Sequence, residues 1–389
     1  MVHAFDTLRL EDLQARHCAK WQKYGPEVIP LWVADMDFPT ALPIVKAVQA
    51  RAASGNLGYP SHTGEPGLVA TIRGRMEKRM SWRFEEGDVW LTGGIIQGLY
   101  LAALACASEG EEVIVQSPIY PPFLAAIADT GRVPRYNGLR WNGAAYDIDL
   151  EGLEALVSPA TRLLMLCNPH NPTGRVFSRD ELEGLADFAL RHRLWVVSDE
   201  LHCDLVYEGR RHIPFASLSA EVAQRTVTLL GPTKTFNIAG LKVGVVVSQN
   251  PGLLARFKRL GQGLVTPPNV LAQSAALAAY REGGEWLEDS LAYLTGNRAF
   301  LGEFLRERLP QIGYAEPEGT YLAWLDLRGL GLAEDLYPFL LLEAKVGLNE
   351  GPQYGPGGEG FARLNFATSR AILQEALVRL EGAWRARRG

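Results

Sequence analysis

Lys234 is the first residue whose surroundings suggest covalent chemistry. It lies in the segment GPTKTFNIAG, directly after the apolar run 226–230 (TVTLL). A lysine at the end of a buried strand is partly desolvated, which lowers the pKa of its ammonium and makes the amine a better nucleophile toward an aldehyde. A solvated loop lysine could have the same neighbours, so Lys234 by itself leaves both interpretations open.

A carboxylate closes a second apolar run. Asp199 follows the residues LWVVS of run 194–198. An unpaired buried carboxylate is costly, so at the end of a buried strand Asp199 should face a cation or a ring N–H. The alternative is that Asp199 caps a helix.

Two turn-rich segments complete the set of candidates. NPHNPTG at 168–174 could be a simple connection, because Asn, Pro and Gly dominate turns. TGGIIQG at 92–98 places two glycines before a helical pattern, whose N-terminal amides could hold a phosphate. Each signal is weak when taken alone.

Taken together, these features match the needs of one cofactor. Pyridoxal phosphate requires a lysine for its Schiff base, a carboxylate for the pyridine nitrogen, donors to the ring hydroxyl, an aromatic stack and a phosphate cradle. With all of these in order, the sequence resembles the fold-type I pyridoxal-phosphate enzymes, the aminotransferase superfamily, over nearly its whole length.

The resemblance implies a role for each residue at a matching position. Lys234 is the expected Schiff-base lysine and catalytic residue, and Asp199 the expected partner of the pyridine nitrogen. The other expected cofactor ligands are Asn171 at the ring 3-hydroxyl, Tyr120 stacked on the ring, the backbone of Gly94 and Ile95 and the side chains of Thr233 and Lys242 at the phosphate, and Tyr59 reaching the phosphate of the neighbouring subunit. Arg363, in ARLNFATSR, matches the arginine that grips the substrate α-carboxylate as a bidentate fork. Shared sites of this kind imply a homodimer.

Two further segments narrow the resemblance to one group. IPLWVADMDFPT (29–40) and DELHCDLVY (199–207) resemble the cystathionine β-lyases often called the MalY/PatB type of C–S lyase. His202 stands where ordinary aminotransferases commonly have tyrosine, and its imidazole could donate to the ring hydroxyl. The pair of Asp35 and Asp37 in VADMDF is interpreted as local structure near the cofactor pocket, with Asp37 retained as a candidate substrate contact. The chain departs from the group at Gln22 and Cys18, where Asp and Ser are common.

The resemblance therefore implies a pyridoxal-phosphate-dependent lyase that cleaves L-cystathionine or related cysteine S-conjugates to a thiol, pyruvate and ammonia. An aminotransferase of the same fold remains an alternative, because both reactions use the same catalytic residues up to loss of the Cα proton. A third alternative is a regulatory protein that binds a transcription factor, a role reported for some members of the group.

The elements that must position these residues follow from hydrophobic patterning. Short apolar runs alternate with helical patterns between about 90 and 250, which predicts an α/β fold with a mostly parallel sheet. The runs are 112–116, 162–167, 194–198, 226–230 and 243–248. In such sheets, ligands bind beyond the carboxyl ends of the strands. The resemblance implies fold type I, the pyridoxal-phosphate-dependent transferase-like fold, with a seven-stranded sheet in a large domain (46–284) and a smaller α+β domain (1–45 and 285–389). After residue 250, the pattern predicts helices at 252–281, 285–308, 334–345 and 370–386, and strands at 321–327 and 362–366.

Composition excludes several other classes. The 389 residues are 47% hydrophobic and 21% charged, with a formal net charge of -5. A nucleic-acid partner is therefore not indicated, and no apolar run approaches the ~20 residues needed to cross a bilayer. The four cysteines are scattered and form no CxxC pair, so neither a disulfide framework nor a metal site is expected. We expect a cytoplasmic protein whose substrate is an amino acid, a small molecule.

Overall fold

The computed structural model describes residues 5–61 and 63–388. In that part of the chain the strands are β1 (Ile29–Pro30), β2 (Val89–Thr92), β3 (Glu112–Ser117), β4 (Val133–Gly138), β5 (Arg140–Trp141), β6 (Tyr146–Asp147), β7 (Thr161–Cys167), β8 (Trp195–Asp199), β9 (Thr226–Leu230), β10 (Gly244–Val247), β11 (Gly313–Tyr314), β12 (Leu322–Asp326), β13 (Val346–Gly347), β14 (Asn349–Glu350) and β15 (Phe361–Asn365).

The largest sheet has seven strands in the order β2-β10-β9-β8-β7-β3-β4. β10 alone runs opposite to the other six strands, so the sheet is mostly parallel. All five apolar runs predicted as strands lie in this sheet, and the residues of β9 and β10 are buried throughout. The α/β prediction is confirmed, and its physical basis is that strands covered by helices on both faces must be apolar on both faces.

Within the described ranges, the α-helices include α1 (Leu10–Gln14), α2 (Ala19–Gln22), α3 (Leu42–Ala53), α4 (Leu68–Met80), α5 (Ile95–Cys106), α6 (Pro121–Asp129), α7 (Leu150–Glu154), α8 (Arg179–Arg191), α9 (Ala220–Arg225), α10 (Pro251–Leu260), α11 (Val270–Glu282), α12 (Gly284–Arg308), α13 (Leu336–Pro338) and α14 (Arg370–Arg388). A capping box illustrates how they begin. The Ser178 side chain accepts from the Glu181 amide, while the Glu181 carboxylate accepts from the Ser178 amide, so two orphan donors are satisfied at the start of α8.

Two predicted helices are interrupted. The segment predicted as one helix at 252–281 forms α10 and α11, because Pro267 and Pro268 cannot continue a helix and Asn269 caps the new one by accepting from the Ala272 amide. The helix predicted at 334–345 is a 3-10 turn, the short α13 and a π-helical turn at Phe339–Glu343. Pro338 lacks the N–H that an α-helix would need there.

A second, antiparallel sheet has the order β11-β12-β15-β14, and β1 pairs with β13. The beginning of the chain packs with its end: Trp21 and Ile29 share one hydrophobic core with Leu294, Phe339 and Leu377. The domain boundaries at 46 and 284 remain a prediction.

Sheet register brings the candidate residues together. Asp199, the last residue of β8, lies opposite Cys167 of β7 on one side and Leu229 of β9 on the other. The chain leaves β7 toward Asn171 and leaves β9 toward Lys234, so all three side chains belong to the same carboxyl edge of the sheet.

Candidate active site

A cavity of about 520 Å³ lies at this edge. Ten of the twelve predicted site residues line it: Gly94, Ile95, Tyr120, Asn171, Asp199, His202, Thr233, Lys234, Lys242 and Arg363. They come from seven separate stretches of the chain, so the fold, rather than sequence proximity, creates the cluster.

Lys234 follows β9, and its Nζ donates to the carbonyl oxygen of Ala34 at 2.6 Å. Burial lowers the pKa of the Lys234 ammonium to about 8, although the negative charge of Asp35 opposes this change. The positive charge of Arg363 lowers the pKa further. At pH 7, roughly a tenth of Lys234 is therefore free amine, far more than for an exposed lysine, and this form can act as a nucleophile or a base.

Asp199 is a buried carboxyl group at the end of β8. Burial raises its pKa to about 7, although the Leu201 amide donates to its Oδ1 at 3.1 Å and favours the charged form. The nearby charge of Glu200 raises the pKa as well. A cationic ring nitrogen placed against Asp199 would restore the anion, because an opposite charge favours ionisation.

His202 and Asn171 supply neutral polar groups. Burial lowers the pKa of His202 to about 3, so its imidazole is uncharged. Among the described residues, its buried Nδ1 has no hydrogen-bond partner. The Oδ1 of Asn171 accepts from Arg363, which leaves the amide nitrogen of Asn171 as the group that can serve a ligand.

The start of α5 also lines the cavity. Gly94 precedes this helix with a φ of 154°, a conformation that favours glycine, and Ile95 is the first helical residue. The free amides of a helix N-terminus attract anions. Thr233 and Lys242 line the cavity too, so a hydroxyl and an ammonium group are available to the same anion.

Arg363 lies on β15 with its side chain almost fully buried. Its Nη1 donates to Oδ1 of Asn171, and its Nη2 donates to the carbonyl of Trp32 and to Oδ1 of Asn349, each at 2.9 Å. The guanidinium carbon lies 5.3 Å from the ring centroid of Tyr354. Its buried Nε has no partner among the described residues, so the fixed guanidinium retains a donor for a carboxylate.

Two predicted residues do not line the cavity. Asp37 is 1% exposed, and its carboxylate accepts from Lys20 Nζ at 2.8 Å and Trp21 Nε1 at 2.7 Å. Both oxygens are thus used inside the protein, which corrects the expected substrate contact in favour of local structure. Tyr59 is fully exposed on its own chain.

The structure adds residues that the sequence did not single out. Trp32 and Ala34 line the cavity from the segment WVADMDF, whose resemblance to the C–S lyases implies no role for these two positions. Asn349 and Tyr354 line it beside Arg363. Only their nearness in space to Arg363 identifies them, because neither lies in a motif.

The groups in the cavity fit pyridoxal phosphate. Lys234 offers an amine for the aldehyde, Asp199 a buried carboxyl group that forms no salt bridge among the described residues, and His202 a buried ring nitrogen without a partner there that suits a hydroxyl. The α5 N-terminus matches the phosphate. In the described residues, no cluster of His, Cys, Asp and Glu could hold a metal ion.

Comparison with known proteins places these features in a family. The model of the aminotransferase class I and II family matches residues 26–380. Cystathionine beta-lyase PatB of Bacillus subtilis (strain 168) is 38% identical over 384 residues, which cover 96% of this chain and 98% of PatB.

Solved structures with the same fold contain pyridoxal phosphate. Cystalysin from Treponema denticola, whose crystal structure contains pyridoxal 5'-phosphate, has a TM-score of 0.93 and 31% identity, with 98% of each chain covered. The pyridoxal-phosphate-bound C-S lyase from Staphylococcus hominis has a TM-score of 0.90 and 31% identity, also with 98% of each chain covered.

Proposed function

Since the chain belongs to the class I and II aminotransferase family, we propose that it is a carbon–sulfur β-lyase. Its substrate is an amino acid with a β-thioether, L-cystathionine or a related cysteine S-conjugate. With one water molecule the reaction yields a thiol, pyruvate and ammonia. The observation that carries the proposal is the cavity that joins Lys234, Asp199 and His202 in a chain similar to PatB over 96% of its length.

The cofactor is pyridoxal 5'-phosphate, as in the similar solved structures. When bound, it withdraws electrons from the Cα of the amino acid joined to it. Asp199 would hold the proton on the ring nitrogen, while Asn171 and His202 would bind the ring hydroxyl. Gly94, Ile95, Thr233 and Lys242 would bind the phosphate, and Tyr120 would cover the ring face.

Lys234 and Arg363 act on different groups of the substrate. Arg363 binds the α-carboxylate and so fixes the orientation of Cα, because its guanidinium is held by three hydrogen bonds. The neutral amine of Lys234 then removes the Cα proton. The bond between Cβ and sulfur breaks with both electrons going to sulfur, which leaves as the thiolate.

The first experiment measures pyruvate and free thiol released from L-cystathionine by the cofactor-loaded protein without any 2-oxo acid. Stoichiometric release over many turnovers is expected. Release that depends wholly on an added 2-oxo acid, with amino transfer to that acid, would instead identify an aminotransferase.

We further propose a homodimer in which Tyr59 serves the neighbouring site. Tyr59 is fully exposed, and Leu57 and Leu264 are also exposed apolar side chains, which a subunit interface would cover. Mixing Lys234→Ala and Tyr59→Ala proteins under exchange conditions tests this. Hybrid dimers should regain one intact site, whereas mixed monomers would stay as inactive as the separate variants.

We propose a cytoplasmic location as well. All four cysteines are free thiols, which is consistent with a reducing compartment. In the described residues, no helix combines the length and apolar character needed to cross a membrane.

A further inference from the structure

The segment 31–38 (LWVADMDF), hereafter the strap, runs past the cavity without forming a helix or strand. Every carbonyl oxygen of the strap accepts a hydrogen bond. The donors, in order from Leu31 to Phe38, are the Asn365 amide, Arg363 Nη2, Asn365 Nδ2, Lys234 Nζ, Asn365 Nδ2, Asn237 Nδ2, Arg16 Nη1 and Asn237 Nδ2. The strap is therefore fixed in position relative to the cavity.

Two strap carbonyls bind the two cationic side chains that act on the substrate. The Trp32 carbonyl accepts from Arg363 Nη2 at 2.9 Å, and the Ala34 carbonyl accepts from Lys234 Nζ at 2.6 Å. Asn365 Nδ2 binds the carbonyls on either side of Ala34, those of Val33 and Asp35, each at 2.7 Å. The Ala34 oxygen is thus a fixed acceptor for the Lys234 amine.

Tyr321 shares this acceptor. Its hydroxyl donates to the same Ala34 oxygen at 3.0 Å, and its side chain is 1% exposed. A carbonyl oxygen has two lone pairs, so Lys234 and Tyr321 together use the full capacity of Ala34. The ring of Tyr321 also meets the His202 ring edge to face, with centroids 5.8 Å apart, which holds the phenol at this site.

Because Tyr321 also binds the Ala34 oxygen, the hydrogen bond from Lys234 to that oxygen is weakened. A hydrogen bond to the charged form of a group favours that form. When a second donor takes part of the electron density of the carbonyl, the ammonium of Lys234 is stabilised less than it would be by an unshared carbonyl. The free amine is then more available.

We propose that Tyr321 is a positioning residue for Lys234, because its hydroxyl occupies one lone pair of the Ala34 carbonyl and so keeps the released amine ready to accept the Cα proton. The inference rests on the proposed lyase reaction for its meaning. The hydrogen-bond arrangement itself belongs to the protein, and it can be tested without turnover.

Other charges act on Lys234 from each neighbouring element. They are Asp35 of the strap, Arg363 of β15 and Asp199 of β8, and the ring of His202 lies close by. A Tyr321→Phe substitution leaves all of them in place and removes a single oxygen atom.

The test compares Tyr321→Phe with the wild-type chain in two pH titrations. The first follows the rate at which cofactor-free protein attaches pyridoxal phosphate covalently to Lys234, measured by absorbance, since only the free amine reacts. The second follows pyruvate release by the loaded enzyme. We expect the midpoint of both profiles to move up by about 0.5–1 pH unit, equivalent to a roughly three- to tenfold lower rate on the acid side.

Tyr207→Phe is the matched control. Tyr207 is also buried, and its hydroxyl also donates to a backbone carbonyl, but to that of Thr320, at 2.6 Å, rather than to the Ala34 carbonyl that accepts from Lys234. Its profiles should match those of the wild-type chain. Unchanged or downward midpoints for Tyr321→Phe, or equal shifts in both variants, would overturn the proposal.

The two titrations separate failure of this inference from failure of the proposed function. If the wild-type protein attaches the cofactor but releases no pyruvate, the lyase proposal fails, and the attachment profile still decides the role of Tyr321. If pyruvate is released and neither midpoint moves in Tyr321→Phe, the lyase assignment stands and the positioning role is wrong.

Discussion

Arg363 Nη1 donates to Oδ1 of Asn171 at 2.9 Å, although the two residues are 192 positions apart in the chain. Arg363 is the proposed ligand of the substrate α-carboxylate, and Asn171 is the proposed ligand of the cofactor hydroxyl. This bond therefore fixes the substrate site relative to the ring site. Such fixed geometry lowers the entropic cost of reaching a reactive arrangement.

Replacing Arg363 with lysine should weaken the use of substrate while leaving cofactor binding largely intact. Lysine cannot reproduce the fork that reaches Asn171, Asn349 and a carboxylate at once. Loss of one charged hydrogen bond costs about 1.5–3 kcal/mol, so kcat/KM for L-cystathionine should fall about 10- to 150-fold. Arg179→Lys, at an exposed helical ion pair, is the control. An unchanged kcat/KM would mean that another group binds the carboxylate.

Replacing Lys234 with alanine should abolish pyruvate release and the absorbance of the lysine-bound cofactor together. The reason is that one amine is proposed both to hold the cofactor and to accept the Cα proton. Lys46→Ala, which alters an exposed lysine of α3, should change neither property. Retention of both signals in Lys234→Ala would show that the cofactor attaches elsewhere.

The pH dependence of turnover should follow the Lys234 amine. Burial lowers its pKa to about 8, so below that pH the group is protonated and cannot accept a proton. Pyruvate release should therefore rise as the pH passes from 7 to 9. Asp35 raises this pKa by its negative charge, so Asp35→Asn should move the midpoint to lower pH.

The direction of that shift is opposite to the one expected for Tyr321→Phe, so each variant checks the other. Asp12→Asn removes an exposed carboxylate of α1 and should leave the profile unchanged. A midpoint that rises in Asp35→Asn would contradict the assignment of the profile to Lys234.

The buried pair of Lys20 and Asp37 should contribute to stability rather than to substrate binding. Both side chains are almost fully buried and 2.8 Å apart. Breaking a buried pair from one side typically costs 3–5 kcal/mol, so Lys20→Met should lower the free energy of unfolding in urea by about that amount. The exposed pair of Arg9 and Asp12 supplies the control, because substituting Asp12 should have little effect.

The same pair tests whether Asp37 supports the fold or contacts the substrate. Asp37→Asn should lower the stability of the protein while leaving the KM of the folded enzyme near the wild-type value. A raised KM at unchanged stability would return Asp37 to the substrate site.

The sequence determined the parts of this protein that depend on local pattern and on motif. Apolar runs bounded by Gly and Pro predicted the strands, because a strand covered on both faces needs apolar residues at successive positions. The motifs around Lys234, Asp199 and Asn171 identified the cofactor, since few other ligands require an amine, a carboxylate and a phosphate cradle in that order. The helix boundaries were predicted less accurately. The break between α10 and α11 was missed because its prolines lie within a long helical pattern.

Only the tertiary structure decided how charged residues are divided between function and support. Asp35 and Asp37 stand two positions apart in VADMDF, yet one lies within electrostatic reach of Lys234 and the other is held by Lys20 and Trp21. Nothing in the composition of the segment separates them, because their partners come from distant parts of the chain. For the same reason, the sequence alone did not identify Asn349, Tyr354 and Tyr321. Their roles depend on which side chains and carbonyls meet them in space, and that is set by the packing of the two sheets and the strap rather than by sequence spacing.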